Sequence, residues 1–319
     1  MKIFDSNTTA ERLVFDALIP AIRQMFIETC VVPRRHIHTI NEREHTTDTL
    51  LIMPAWQDGK YLGIKHVTIF PENAKQGKSG LFSTYTLFDA TNGQPLAIID
   101  GDQITVRRTA AASALAASYL AREDATNMLI VGAGNVARAL APAYAAIRPI
   151  QKISVWNINP EKADSLAQQL CAEGFDAHSV ADLRSAVEQA DIVSCATLSR
   201  APLIQRAWLQ PGTHLDLIGS FQPAMRESDD ETFADTSVFI DTTEALEKSG
   251  DLLSPIRNGR FDAANVRATL EDLCNGVHRG RRSADEITVY KAVGTASEDL
   301  AAAILVYQRD GHPAQSVMF

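Results

Sequence analysis

The stretch MLIVGAGNVARALAPAY holds the residues whose types and spacing point most directly to chemistry. An apolar run enters Gly132-x-Gly134-x-x-Ala137 and continues into a helix opened by Asn135 and Val136. Gly132 permits a tight turn, Gly134 lets backbone approach a pyrophosphate, and Ala137 lets helix and strand pack closely. The free N–H groups and the dipole at the helix start favour an anion there. The expected site is therefore a dinucleotide cradle at Gly132, Gly134, Asn135, Val136 and Ala137. The next strand ends in SVWNINPEK, with Asn157 where an acidic residue would grip the ribose of NAD. Loss of that carboxylate removes repulsion against a 2′-phosphate, and Asn157, Asn159 and Lys162 supply donors. NADPH is favoured, with NADH as the alternative.

A small carboxylic acid held near such a nucleotide needs cations at fixed positions. Arg34 follows Pro33 at a strand entry, Lys65 interrupts the apolar strand YLGIKHVTIF, and Arg108 opens an alanine-rich helix. A charge in an apolar run is costly to bury unless paired, so Lys65 either faces water or belongs to a site. Asp299 in SEDLAAA either joins that site or caps the last helix, and capping is the simpler expectation. The stretch HLDLIGSFQPAMRESDD breaks at Gly219-Ser220 as a loop at a sheet edge does, and presents Phe221, which can neither give nor take a proton.

These side chains need a frame, and the period of the sequence supplies one. Residues 8–29 carry apolar residues at helical spacing, residues 35–100 alternate short β-rich runs with turn sequences, and 104–121 is an alanine-rich helix. From about 124 into the 280s, apolar strands alternate with helices, which implies parallel β-α-β units. The expected class is α/β. It combines a Rossmann-type doubly wound parallel sheet over 123–294 with an α+β substrate and dimerisation domain built from both chain ends, 1–122 and 295–319.

Composition narrows the function. A formal charge of -9 argues against a nucleic-acid surface, because neutralising phosphates takes a clustered excess of Lys and Arg. The one basic run, HRGRR from His278 to Arg282, reads as a solvated loop. The four cysteines form no CxxC or Cys/His cluster, so neither a metal site nor a disulfide framework is expected. Without an apolar leader or a spanning run of about 18 apolar residues, the expected compartment is the cytoplasm.

Four blocks, LGIKHVTIFPENAKQGK, LFDATNGQPLAIIDGDQITVRRTAAASALAASYLA, IVGAGNVARA and TVYKAVGTASEDLAAA, together resemble the ornithine cyclodeaminase/mu-crystallin family over nearly the whole chain. The resemblance implies that Arg34, Lys65 and Arg108 hold a substrate carboxylate and that the protein is a homodimer. Where cyclodeaminases have a proton-handling aspartate, this chain has Phe221, which sets the cyclodeaminase mechanism in doubt and suits an apolar wall for a cyclic substrate. Lys291 in TVYKAVG resembles the lysine of mu-crystallin, and is either a substrate-side cation or a surface cation at a helix start. The implied activity is reduction of a cyclic imino acid, Δ1-pyrroline-2-carboxylate or Δ1-piperideine-2-carboxylate, to L-proline or L-pipecolate, with Lys65 as the catalytic cation. The rivals are an ornithine cyclodeaminase, a dehydrogenase of an open-chain imino or amino acid, and a mu-crystallin-like nucleotide-binding protein without this turnover.

Overall fold

Successive side chains on a strand point to opposite faces, so the alternation in YLGIKHVTI sets Gly63, Lys65 and Val67 in one buried row. In the computed structural model, which describes residues 1–42, 46–309 and 315–316, this strand is central to a meander. The chain opens with β1 (Lys2–Phe4), α1 (Ser6–Arg12) and α2 (Phe15–Ile27). There follow β2 (His36–Glu42), β3 (Thr47–Gln57), β4 (Tyr61–Ile69), β5 (Leu81–Asp89), β6 (Pro95–Asp100) and α3 (Gly101–Leu120). Strands β2 to β6 pair antiparallel in sequence order, and β1 adds parallel to β6.

The single helix expected over 8–29 is two. Residues two apart project from widely separated directions on one helix, so an unbroken helix would not turn both Leu13 and Phe15 inward. Both are buried. The chain leaves helical geometry at Leu13 (φ -94, ψ 53), whose carbonyl accepts from Arg107 Nη1 at 3.2 Å.

Past α3 the period changes. The chain runs through β7 (Asn127–Val131), α4 (Asn135–Ala145), β8 (Lys152–Trp156), α5 (Pro160–Ala172), β9 (Ala177–Ser179), α6 (Leu183–Gln189), β10 (Ile192–Cys195) and β11 (His214–Leu217). It continues through β12 (Ser237–Ile240), α7 (Ala245–Lys248), α8 (Gly250–Arg257), β13 (Ala268–Thr269), α9 (Leu270–Cys274) and β14 (Thr288–Lys291). These strands form one parallel sheet in the order β13-β12-β14-β11-β10-β7-β8-β9. Each of β7, β10, β11 and β12 is almost wholly buried, as a sheet covered on both faces requires. The chain then returns through α10 (Ala296–Gln308), which packs on α2, β3 and β4, and β15 (Gln315–Ser316), which pairs with β1. Two compact units result, Met1–Arg108 with Thr295–Phe319, and Thr109–Gly294. The α/β class expected from the sequence is the one that forms. No helix among the described residues is long and apolar enough to cross a membrane.

The second unit is pinned by one buried carboxylate on β11. Asp216 accepts from Ser113 Oγ at 3.1 Å, Tyr144 OH at 2.8 Å and Ser194 Oγ at 2.5 Å, which ties α3, α4 and β10 to the middle of the sheet. Burial raises its pKa to about 6 against the pull of those three donors. Tyr144→Phe removes one of them and is expected to cost about 1–3 kcal/mol. The loss should appear as a lower denaturant midpoint at unchanged slope. It should be larger above pH 6 than below, because the hydroxyl favours the ionised carboxylate.

Candidate functional site

The glycine turn of the second unit sits at the C-terminal end of β7. Gly132 has φ 115, and a Cβ there would lie 2.5 Å from the Ala196 carbonyl oxygen, so only glycine fits. A Cβ on Gly134 would meet nothing within 4 Å, which leaves the backbone open to approach. Gly134 is also the N-cap of α4 and provides no side-chain cap, and Asn135 beside it is exposed. Uncapped donors facing open space suit a pyrophosphate. Ala137 is fully buried and half-buried Val136 precedes it. Just past β8, Asn157 donates to the Asn159 carbonyl at 3.0 Å, while the Asn159 side chain caps α5 by accepting from the Lys162 N–H. Of the three residues expected at a 2′-phosphate, Asn159 is thus committed in part to the helix start, and the Lys162 side chain is exposed.

The first unit brings Lys65 and Arg108 together around one carboxylate. Lys65 Nζ lies 2.6 Å from Asp299 Oδ2, and Arg108 Nε lies 2.9 Å from Asp299 Oδ1. Arg108 Nη1 donates to Glu298 Oε2 at 2.8 Å, and Lys65 Nζ donates to Thr105 Oγ1 at 3.4 Å. All four charged residues are buried, with Lys65 2% exposed. Burial lowers the Lys65 pKa to about 8; the Asp299 charge opposes that, while Arg108 and Arg35 add to it. Burial alone would raise the Asp299 carboxyl, but the Lys65 and Arg108 charges outweigh it and hold the group below the usual range. Tyr85, paired with Lys65 across β4 and β5, is buried beside them, and its phenol is raised well above the ordinary value by that burial.

Two expectations change here. Asp299 does not cap α10: the cap position is Thr295, four residues earlier, and the Asp299 carboxylate turns to the two cations instead. At the strand entry, Arg35 is the residue whose charge reaches Lys65 and Asp299, while Arg34 is exposed. Neighbours in extended chain face opposite ways, and PRRHIH alone does not say which arginine turns inward.

Lys291 ends β14 and is completely buried, which overturns the surface-cation alternative. Its Nζ lies 3.6 Å from Asp251 Oδ2. Asp251 Oδ1 accepts from the N–H groups of Glu227 and Ser228 at 2.8 and 3.1 Å. Glu227 in turn accepts from Thr197 N at 2.7 Å, Thr197 Oγ1 at 2.9 Å and Gly219 N at 2.6 Å. The loops that follow β10 and β11 are thereby stitched together, and a Cβ on Gly219 would collide with both Thr197 and Glu227. Burial pushes the Glu227 carboxyl up, with the Lys291 ammonium opposing and the Asp251 carboxylate reinforcing. Phe221 lies on the stitched loop and is 41% exposed. Glu227 and Asp251 escaped sequence reasoning because neither belongs to a recognisable motif.

The doubly wound sheet with its uncapped glycine turn places the chain in the Rossmann-type dinucleotide class of folds. It belongs to the ornithine cyclodeaminase/mu-crystallin family, whose pattern matches residues 4–312, as the quoted blocks led us to expect. It is 44% identical over 256 residues to a Δ1-pyrroline-2-carboxylate reductase of Paracoccus denitrificans (strain Pd 1222), covering 80% of this chain and 81% of that protein. Among solved structures it resembles the Thermococcus litoralis Δ1-pyrroline-2-carboxylate reductase in complex with NADH and L-proline, at 32% identity and TM-score 0.93, over 99% of this chain and 100% of that one. It also resembles an archaeal alanine dehydrogenase dimer with bound NAD, at 26% identity and TM-score 0.88, over 97% and 95% of the two chains.

Removing the cation of the second cluster leaves Asp251, among the described residues, with only the more distant contact to Arg226 Nε at 3.8 Å. Lys291→Met should cost about 3–5 kcal/mol. Adding Asp251→Asn should restore part of that loss, because the amide keeps the Oδ1 acceptor without the charge. A double-mutant cycle read by chemical denaturation measures the coupling.

Proposed function

We propose that this protein reduces a cyclic imino acid, Δ1-pyrroline-2-carboxylate or Δ1-piperideine-2-carboxylate, to L-proline or L-pipecolate, using a reduced nicotinamide nucleotide. The observation that carries this reading is the buried Lys65–Asp299–Arg108 bridge. It is supported by similarity to the Paracoccus reductase and to the Thermococcus reductase in complex with NADH and L-proline. The Arg35 charge acts on Lys65 and Asp299 as well, so cations gather where a substrate carboxylate would be held. Arg108 and the Arg34–Arg35 pair hold that carboxylate, and Phe221 offers an apolar wall to the ring. Lys291 acts through Asp251 and Glu227 to position the loop that carries Phe221.

The reduced nicotinamide supplies the hydride, which adds to the C=N carbon. The ring nitrogen must carry a proton, since an iminium is the better electrophile. Lys65, drawn down to about 8, holds a proton near neutral pH that it can share with the ring nitrogen through a water. The glycine turn and α4 hold the pyrophosphate, and Asn157 with Lys162 favours NADPH, although NADH is the nucleotide of the Thermococcus complex. In this proposal residues 1–122 and 295–319 serve substrate binding and dimerisation, and 123–294 nucleotide binding. A homodimer is supported by the archaeal alanine dehydrogenase dimer. A cytoplasmic setting is supported by the four cysteines, which form no disulfide among the described residues.

The first test is nicotinamide oxidation with Δ1-pyrroline-2-carboxylate, with an ornithine-to-ammonia assay beside it. Turnover should consume nucleotide, and Arg108→Ala or Lys65→Ala should lower kcat/KM by about a hundredfold or more. Ammonia release from ornithine without net nucleotide oxidation would instead establish the cyclodeaminase. In the pH profile, kcat/KM should fall as pH rises through about 8, where Lys65 loses its proton. Asp299→Asn withdraws the charge that retains that proton, so the falling limb should move to lower pH. For the nucleotide, Asn157→Asp should shift preference from NADPH towards NADH, read as the ratio of the two kcat/KM values.

A further inference from the structure

We propose that a cavity on the second unit, at the end of the sheet where its strands begin and opposite the glycine turn, binds a small phosphate-bearing anion. The cavity has a volume of about 380 Å³, and Arg122, Arg148, Arg279, Arg281 and Arg282 line it with Glu123 as the one acidic residue among them. Such a concentration of cations stands out in a chain of net charge -9. It lies where the strands begin: Arg122 pairs with Asp191, just before β10, and Arg281 donates to Gly212 O, before β11, and to Thr288 Oγ1, the first residue of β14. The glycine turn follows the far end of β7, so one ion cannot occupy both places.

The five arginines divide by what holds them. Arg148 donates to the carbonyls of Ala117, Ser118 and Ala121 at 3.1, 2.8 and 3.0 Å, and Arg281 donates to that of Leu120 at 2.7 Å. These two close the C-terminal end of α3 and form a rigid floor. Carbonyls carry no formal charge, so the guanidinium charges are offset only in part, by Glu123 at Arg148 and Glu286 at Arg281. Arg122 is neutralised in part by Asp191 at 2.6 Å and Asp124 at 3.1 Å. Arg279 and Arg282 are exposed. The Arg279 side chain makes no hydrogen bond or ion pair among the described residues, and Arg282 Nη2 reaches the His278 ring at 3.2 Å. The cluster repels itself: the Arg281 pKa is lowered to about 10 by burial first, with the Arg122 and Arg148 charges adding to it against Glu286.

A bound anion relieves that repulsion. Guanidinium forks match two oxygens of a phosphate at once, and a concavity of this size admits a small phosphate ester or diphosphate. Nucleic acid would need a broad basic face, and this cluster is confined to one hollow.

Thermal unfolding of the whole protein with inorganic pyrophosphate tests the proposal, at ionic strength matched with sodium chloride. Pyrophosphate should raise the melting temperature by several degrees. The Arg279→Ala/Arg282→Ala double variant, altered at two exposed side chains, should lose that shift while NADH still raises its melting temperature as in the parent. A pyrophosphate shift unchanged in the double variant, or no greater than that of matched salt, overturns the site. Citrate giving an equal shift overturns the phosphate assignment. The comparison of parent with double variant stands whether or not NADH binds, so it fails separately from the reductase reading.

Discussion

Lys65 on β4 and Arg108 on α3 share one buried carboxylate, Asp299 on α10, and the candidate site depends on that sharing. A lone ammonium at 2% exposure would shed its proton, and a lone carboxylate beside it would take one up. Held together with short contacts on both carboxylate oxygens, the three charges persist, with Lys65 left near its midpoint at about 8. Such an arrangement tolerates little displacement, because desolvation falls on every member and only good geometry offsets it. The alanines Ala301, Ala302 and Ala303 are buried and let α10 settle closely on β3 and β4. The small residues there serve the charges as much as the core.

The second unit handles buried charge in three ways. Asp216 uses three neutral hydroxyl donors and sits in the middle of the sheet, where it locks helices to strands. Lys291, Asp251 and Glu227 use opposite charge together with backbone N–H groups, and lie where the strands end and loops begin. Loops have no ladder to hold them, so a carboxylate accepting from two loops at once substitutes for one. The third device is guanidinium hydrogen-bonded to carbonyls: Arg148 and Arg281 donate to the last carbonyls of α3. The surplus positive charge gathers on the face away from the glycine turn.

Much of this was legible in the residues themselves. The glycine turn is a local device whose strand, glycines and helix are contiguous, and the alternation of apolar runs with helices prescribes a parallel sheet. Which face Lys65 takes was left open by its strand, and the buried row it shares with Gly63 and Val67 is a property of the fold. The resemblance of four blocks to a known family identified the cations on β4 and α3. Periodicity marks the element; it does not state what a side chain meets.

Partnership was decided by the fold alone. The carboxylate that pairs with Lys65 comes from the far end of the chain, and its place in SEDLAAA looked like a helix cap. Arg34 and Arg35 are equivalent in composition and differ only in the side of the strand entry they occupy. Lys291 looked as suited to the surface as to a site until its neighbours Asp251, Glu227 and Asp241 were in place. The physical reason is common to all of them. Turns and periods are short-range and are written in adjacent residues, whereas the free energy of a buried charge is set by the opposite charges and donors that distant segments bring within a few ångströms of it.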